Sequence, residues 1–135
     1  GLHPHYYCLP VLKGETHRLA IVEAATSGDP KFFLGTDSAP HAINDKESAS
    51  CRAGIYTAHN AMALYTECFE QEGCLDRLEG FSSHFGADFY RLQRKRDTIT
   101  MMKEEWTVPE TLPFGDSRIV PLRAGERCQW MLNEL

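Results

Sequence analysis

The 135-residue sequence has no pair of cysteines at Cys-x-x-Cys spacing, and its cysteines, Cys8, Cys51, Cys68, Cys74 and Cys128, are odd in number. A zinc site built from cysteines alone is therefore not expected. Reduced thiols, as in a cytosol or an organelle matrix, suit the pattern better than a disulfide framework. Long apolar runs are also missing: none approaches the ~18 residues of a membrane span, and no basic start leads into an apolar stretch as in a signal peptide. Basic patches are scarce as well. The net charge is -5 with both signs interspersed, which argues against a nucleic-acid partner. There is no internal repeat and no low-complexity linker. An initiator Met is absent too. The chain opens Gly1-Leu2-His3-Pro4-His5 and moves at once into structured-looking sequence, which reads as a piece of a longer or processed polypeptide.

What is present is an ordinary globular composition, 42% hydrophobic and 24% charged, over a length that supports one domain with a core. Taken in order, residues 5–9 (His-Tyr-Tyr-Cys-Leu) read as a short buried strand ending near Pro10. His3 and His5 form a His-x-His pair, a possible metal motif, but a proline separates them and they begin the strand rather than end it, so turn or packing roles are preferred. Glu15 or Thr16 opens a helix that runs to about Ser27, with Leu19, Ile21, Val22, Ala24 and Ala25 on its apolar side and Gly28 as its stop. Asp29-Pro30 turns into Phe32-Phe33-Leu34, a run too short for a helix, which reads as a strand buried on both faces. Strand, helix and strand with short loops predict a βαβ unit. Its strands should be parallel, with their C-terminal ends opening on one face.

The second of those ends carries the richest chemistry. Gly35, Thr36, Asp37, Ser38, Pro40 and His41 follow the apolar run directly, placing a carboxylate and an imidazole where a buried strand opens into a loop. Catalytic groups of α/β folds collect at such places, although Asp and Ser are also ordinary turn residues. A long polar loop, residues 42–50, leads to Ala53-Gly54, a small pair suited either to close backbone approach or to a plain turn. Residues 58–72 are the clearest helix, with Ala61, Leu64, Tyr65, Cys68 and Phe69 on one face and Gly73 closing it. Ser82 or Ser83 can cap a further short helix through Leu92. The run 91–97 reads as solvated basic surface. Residues 97–102, 106–109, 119–122 and 128–130 have strand character and suggest a small antiparallel sheet.

Four blocks together resemble a known family. They are Pro4-His5-Tyr6-Tyr7-Cys8-Leu9-Pro10; Phe33-Leu34-Gly35-Thr36-Asp37-Ser38-Ala39-Pro40-His41; Lys46-Glu47-Ser48 with Cys51-Arg52-Ala53-Gly54-Ile55-Tyr56; and Val120-Pro121-Leu122-Arg123-Ala124-Gly125-Glu126 followed by Trp130. In this order and spacing the chain resembles the C-terminal part of a dihydroorotase of the single-function bacterial and plant type, in the amidohydrolase superfamily. The resemblance implies an α/β fold, the last part of a (β/α)8 TIM-type barrel of the metallo-dependent hydrolases, with residues 1–92 as barrel units and 93–135 as a terminal β extension. It implies reversible, zinc-dependent cyclisation of N-carbamoyl-L-aspartate to dihydroorotate in pyrimidine biosynthesis, with one or two zinc ions. On this mapping Asp37 touches the metal centre and acts as general base and then acid. Leu9, Ala39, His41, Ala53 and Gly54 surround the substrate ring and its carboxylate, and His41 donates to that carboxylate. A cytoplasmic homodimer is implied, with a mitochondrial or plastid matrix as the alternative location.

The chain departs from the family where Phe85-Gly86-Ala87 and Tyr90-Arg91-Leu92-Gln93 stand in place of Asn-Gly-Pro and Tyr-Gly-Leu-Pro, away from the active-site blocks. The family's other metal ligands, its modified lysine and its substrate-binding arginine are expected upstream of Gly1. One carboxylate cannot hold zinc tightly. The isolated chain is therefore expected to be inactive, and unstable without a partner chain that supplies the rest. Two other readings stand beside this one: a different cyclic-amide amidohydrolase, and a non-catalytic structural or interaction fragment.

Overall fold

Helix boundaries follow from local chemistry more closely than strand boundaries do. In the computed structural model, which describes residues 3–133, the helices are α1 (Glu15–Thr26), α2 (Ile43–Lys46), α3 (Ala61–Gln71) and α4 (Phe85–Phe89). The strands are β1 (Met101–Met102), β2 (Trp106–Thr107), β3 (Leu112–Phe114), β4 (Ser117–Ile119), β5 (Arg127–Cys128) and β6 (Met131–Leu132). Short 3-10 turns occupy Pro4–Tyr6, Ala58–Asn60 and Leu75–Arg77, and a π-helical turn, Gly80–His84, leads into α4.

The described residues fall into two units. One holds 3–12, 36–61 and 105–128; the other holds 13–35, 62–104 and 129–133. The second is organised by helices. α1 starts where expected and stops before Gly28, whose φ of 81° reverses the chain at no steric cost. The Arg77 guanidinium donates to the carbonyls of Thr26 and Ser27, the orphan acceptors at that helix end. α3 ends as Gly73 (φ 68°) donates to the Glu70 carbonyl and Cys74 to that of Phe69. Phe69, Cys74 and Phe81 form the buried cluster, with Ala25, Leu34, Tyr65 and Leu78 packed against it. The ring centroids of Phe69 and Phe81 lie 5.3 Å apart. The expected apolar face of α3 is rotated: its deepest residues are Ala63, Thr66 and Phe69. Thr66 tolerates burial because its hydroxyl donates to the Met62 carbonyl at 2.7 Å. β1 and β6 pair antiparallel in this unit. Residues 91–97 are exposed, as expected.

Three strand expectations are corrected. Residues 5–9 are not a strand: Pro4 opens a 3-10 turn, in which Tyr6 donates to His3 and Tyr7 to Pro4. Proline suits the first position of such a turn because the amide it lacks would have no partner there. Phe32-Phe33-Leu34 is not a strand buried on both faces. Phe32 is exposed, its N–H closes a turn onto Asp29, and Leu34 makes a single backbone bond to Phe81. A short apolar run becomes a strand only when neighbours supply a ladder. Among the described residues the only parallel pairing is the isolated bridge between Tyr56 and Pro121. The small terminal sheet is likewise three separate two-stranded pairs rather than one sheet.

The first unit is held differently. β2 pairs with β5, and β3 with β4 around Gly115-Asp116. Val108, Ile119 and Cys128 are its buried apolar residues. Most of the rest is backbone bonding between segments that have no regular structure.

Candidate active site

The stretch after Gly35 is fastened to residues 53–58 by a run of polar contacts. Ala39 donates its N–H to the Ile55 carbonyl at 3.0 Å. The Ser38 hydroxyl accepts the N–H groups of Thr57 and Ala58, both at 3.0 Å. Asp37 immediately precedes these anchors, exposed, with φ at 46°. Aspartate enters that left-handed region more readily than most residues, so the turn is compatible with its side chain. The carboxylate is thereby presented outward from a backbone fixed on the Ser38 side.

His41 is oriented by the same neighbour segment. Its Nε2 lies 3.0 Å from the Ala53 carbonyl. A carbonyl can only accept, so in that bond Nε2 carries the proton. Nδ1 is the remaining nitrogen, and it can donate to an anion only when the ring is an imidazolium. Gly54 is buried against both residues. A Cβ there would stand 2.7 Å from the Ala39 carbonyl oxygen, 2.8 Å from the Ala39 Cβ and 3.0 Å from His41 Cδ2. Its φ of 148° also disfavours a side chain. The small pair Ala53-Gly54 thus serves close approach, and what approaches within the chain is Ala39 and His41.

Of the six expected site residues, Ala39, His41, Ala53 and Gly54 are brought into direct contact. Leu9 and Asp37 are placed beside them through their neighbours. Leu9 is exposed, two residues after Tyr7, whose carbonyl accepts the Gly54 N–H at 2.9 Å. A cleft of about 970 Å³ in the other unit, bordered by Leu78, Tyr90 and Arg94, contains none of the six. His5 bonds the Glu47 carboxylate at 2.8 Å. Among the described residues no group of three or more His, Cys, Asp or Glu side chains could hold a metal ion.

One residue escaped sequence reasoning. The polar loop 42–50 contains α2, a single turn, and Lys46 at its end is only 3% exposed. Its ammonium donates to the carbonyls of Tyr7 (3.0 Å), Arg52 (2.7 Å) and Gly54 (2.7 Å). Burial pushes this lysine below its ordinary pKa range. A lysine among Asn, Asp, Glu and Ser reads as solvated. The one signal available was its place in the third block, between the Asp37 stretch and Ala53-Gly54.

No protein-family model matches the chain. A curated dihydroorotase from Teredinibacter turnerae is 61% identical over 134 residues, 99% of this chain and 39% of that protein. Another dihydroorotase, from Laribacter hongkongensis, is 61% identical over 132 residues, 98% of this chain and 38% of its own length. In solved structures, the dihydroorotase of Saccharomyces cerevisiae, in complex with 5-fluoroorotic acid, superposes with a TM-score of 0.92 at 34% identity, covering 96% of this chain and 37% of that one. The dihydroorotase of Campylobacter jejuni gives 0.85 at 32% identity, covering 97% and 38%. The chain thus spans about two fifths of the length of the dihydroorotases it matches. The α/β class and the barrel-segment reading agree with these neighbours. Among the described residues no helix is long and apolar enough to cross a membrane.

Proposed function

We propose that the polypeptide carrying this chain is a dihydroorotase that interconverts N-carbamoyl-L-aspartate and dihydroorotate, and that this chain forms one wall of its active site. The single observation that carries the reading is the joining of Ala39, His41, Ala53 and Gly54 into one contact group beside Asp37. The four lie up to 15 residues apart in sequence, and backbone groups of residues 53 and 54 are what bring His41 and Ala39 together.

In this reading Asp37 takes the proton from the nitrogen as it closes the ring and passes it to the carboxyl oxygen that departs as water; on ring opening it takes a proton from the attacking water and gives it to the departing nitrogen. Its exposed position on an anchored turn suits a group that must reach a substrate atom. His41, with Nε2 tied to Ala53, turns Nδ1 toward the substrate carboxylate as an imidazolium donor. Backbone groups at Leu9 and at Ala53-Gly54 border the ring. The family's zinc lowers the pKa of water and polarises the amide carbonyl when bound. The described residues do not make a zinc site by themselves, since Asp37 offers one carboxylate. Asp37 is one ligand in this reading, and the others lie in the part of the relatives that the chain does not span. Residues 1–92 are the barrel units and 93–135 the terminal extension. A cytoplasmic homodimer is part of the proposal and rests on the family alone.

The test is turnover of dihydroorotate by the full-length polypeptide. Asp37→Asn should lower kcat by about 10²–10⁴, the usual worth of a positioned acid–base group, with unfolding unchanged. His41→Ala should raise KM more than it lowers kcat. Unaltered turnover in Asp37→Asn would sink the proton-transfer role.

A further inference from the structure

We propose that Lys46 is a positioning residue for substrate binding. It sets the spacing between the backbone leading to Leu9 and the Ala53-Gly54 pair by gripping the carbonyls of Tyr7, Arg52 and Gly54 together. The proposal rests on the dihydroorotase reading for its substrate, and on geometry for its mechanism.

A lysine ammonium has three donors and no acceptor. Here all three find carbonyl oxygens, at 3.0, 2.7 and 2.7 Å, and the side chain is 3% exposed. Buried lysines are normally paired with a carboxylate. Among the described residues Lys46 is instead held by carbonyl dipoles, which point it at backbone rather than at a countercharge. The three carbonyls belong to two stretches distant in sequence, and they flank the expected substrate contacts at Leu9 and at Ala53-Gly54. The two stretches also bond each other: the Tyr7 oxygen accepts both the lysine and the Gly54 N–H, the latter at 2.9 Å. The delivering element is itself fixed, because Lys46 donates its N–H to Ala42, and Arg52 donates to Asp45. Of the nearby thiols, Cys8 donates to the Pro10 carbonyl, and Cys51 lies 3.9 Å from the Pro4 carbonyl and 3.8 Å from that of Arg52, a long contact beside the 2.7 Å bond that the ammonium makes to the same oxygen.

Asp37 is anchored by a separate set of bonds, those of Ser38 to Thr57 and Ala58. Loosening Lys46 should therefore disturb how the ring is gripped more than how its proton is moved. A lysine with a purely structural role has no reason to separate the two.

The experiment uses the full-length polypeptide and Lys46→Met, which keeps an unbranched chain and removes every donor. The expected result is a KM for dihydroorotate raised about tenfold or more, with kcat within about threefold. Hydrogen exchange in the peptide covering residues 52–56 should quicken about tenfold or more, while the peptide covering α3 is unchanged. An unchanged KM overturns the proposal, and so does exchange that quickens over the whole chain, α3 included. If Lys46→Met does not fold, Lys46→Gln, with two donors left, is measured in the same way, and failure of both to fold overturns the proposal in favour of a plain fold element. If the unmutated protein does not turn over dihydroorotate, the dihydroorotase reading fails. Exchange alone then decides Lys46: quickening confined to residues 52–56 supports the clamp, and no change overturns it.

Discussion

The two units solve the same problem with different chemistry. The helical unit buries Phe69, Phe81 and Cys74 in an aromatic cluster, a non-directional arrangement that tolerates small shifts. The unit that carries the candidate site buries fewer large apolar side chains. It relies on directional bonds: a lysine on three carbonyls, a serine hydroxyl on two amides, a histidine on one carbonyl. Apolar burial supplies free energy in proportion to area, while hydrogen bonds add little net energy but punish misplacement. Stability and geometry thus draw on different chemistry in the two units. Substitutions should therefore separate them too.

The largest effect on stability is expected from Phe69→Ala, at 1% exposure in the aromatic cluster. Emptying such a site costs about 3–5 kcal/mol. Denaturant unfolding should show that loss, with KM for dihydroorotate unchanged in whatever fraction stays folded. A shifted KM would break the separation of roles. Gly54→Ala comes next, because its Cβ would meet the Ala39 carbonyl oxygen at 2.7 Å with φ at 148°. A strained residue of this kind costs about 1–3 kcal/mol. The stability loss should be smaller than for Phe69→Ala, but KM should rise, since Ala39 and His41 must move. An unaltered KM in Gly54→Ala would show that the contact group does not face substrate.

The smallest effect concerns His59, in the site-bearing unit. Both of its ring nitrogens are buried without a hydrogen-bond partner among the described residues, its ring lies 5.4 Å from that of Tyr56, and burial lowers its pKa. As pH falls, the unfolded chain takes up this proton first. The contribution to stability is complete above the ordinary imidazole value of about 6.5, and it is lost as pH falls from there through the lowered value. His59→Phe keeps a ring and removes the titration. Unfolding followed across that range should show a shallower acid limb for the variant, and an identical limb would exclude His59 as its source.

Much of the local structure was legible. α1 was expected from Glu15 or Thr16 to about Ser27 and runs Glu15–Thr26, because helix ends are set by short-range stops such as Gly28. Ala53-Gly54 read equally as a place of close backbone approach to a ligand and as a plain turn; what the structure brings against Gly54 is Ala39 and His41 of the chain itself. The strands at 5–9 and 32–34 were misread because an apolar run says that a segment is to be covered and nothing about whether a ladder forms beside it. The buried stripe of α3 was misplaced because Thr66 hides its hydroxyl on its own helix, which a hydropathy pattern counts as polar.

The residues alone carried the ends of α1, the turn that follows Leu34 and the four blocks that point to dihydroorotases. Each depends on a residue's own backbone preference or on spacing along the chain. Only the tertiary structure decided where Lys46 goes. Its surroundings are the carbonyl oxygens of residues 7, 52 and 54, and every residue type carries the same carbonyl. Side-chain identity therefore holds no record of which oxygens will converge. That is set by how distant backbone segments are brought together, and a lysine in a polar stretch becomes a buried clamp only once they are.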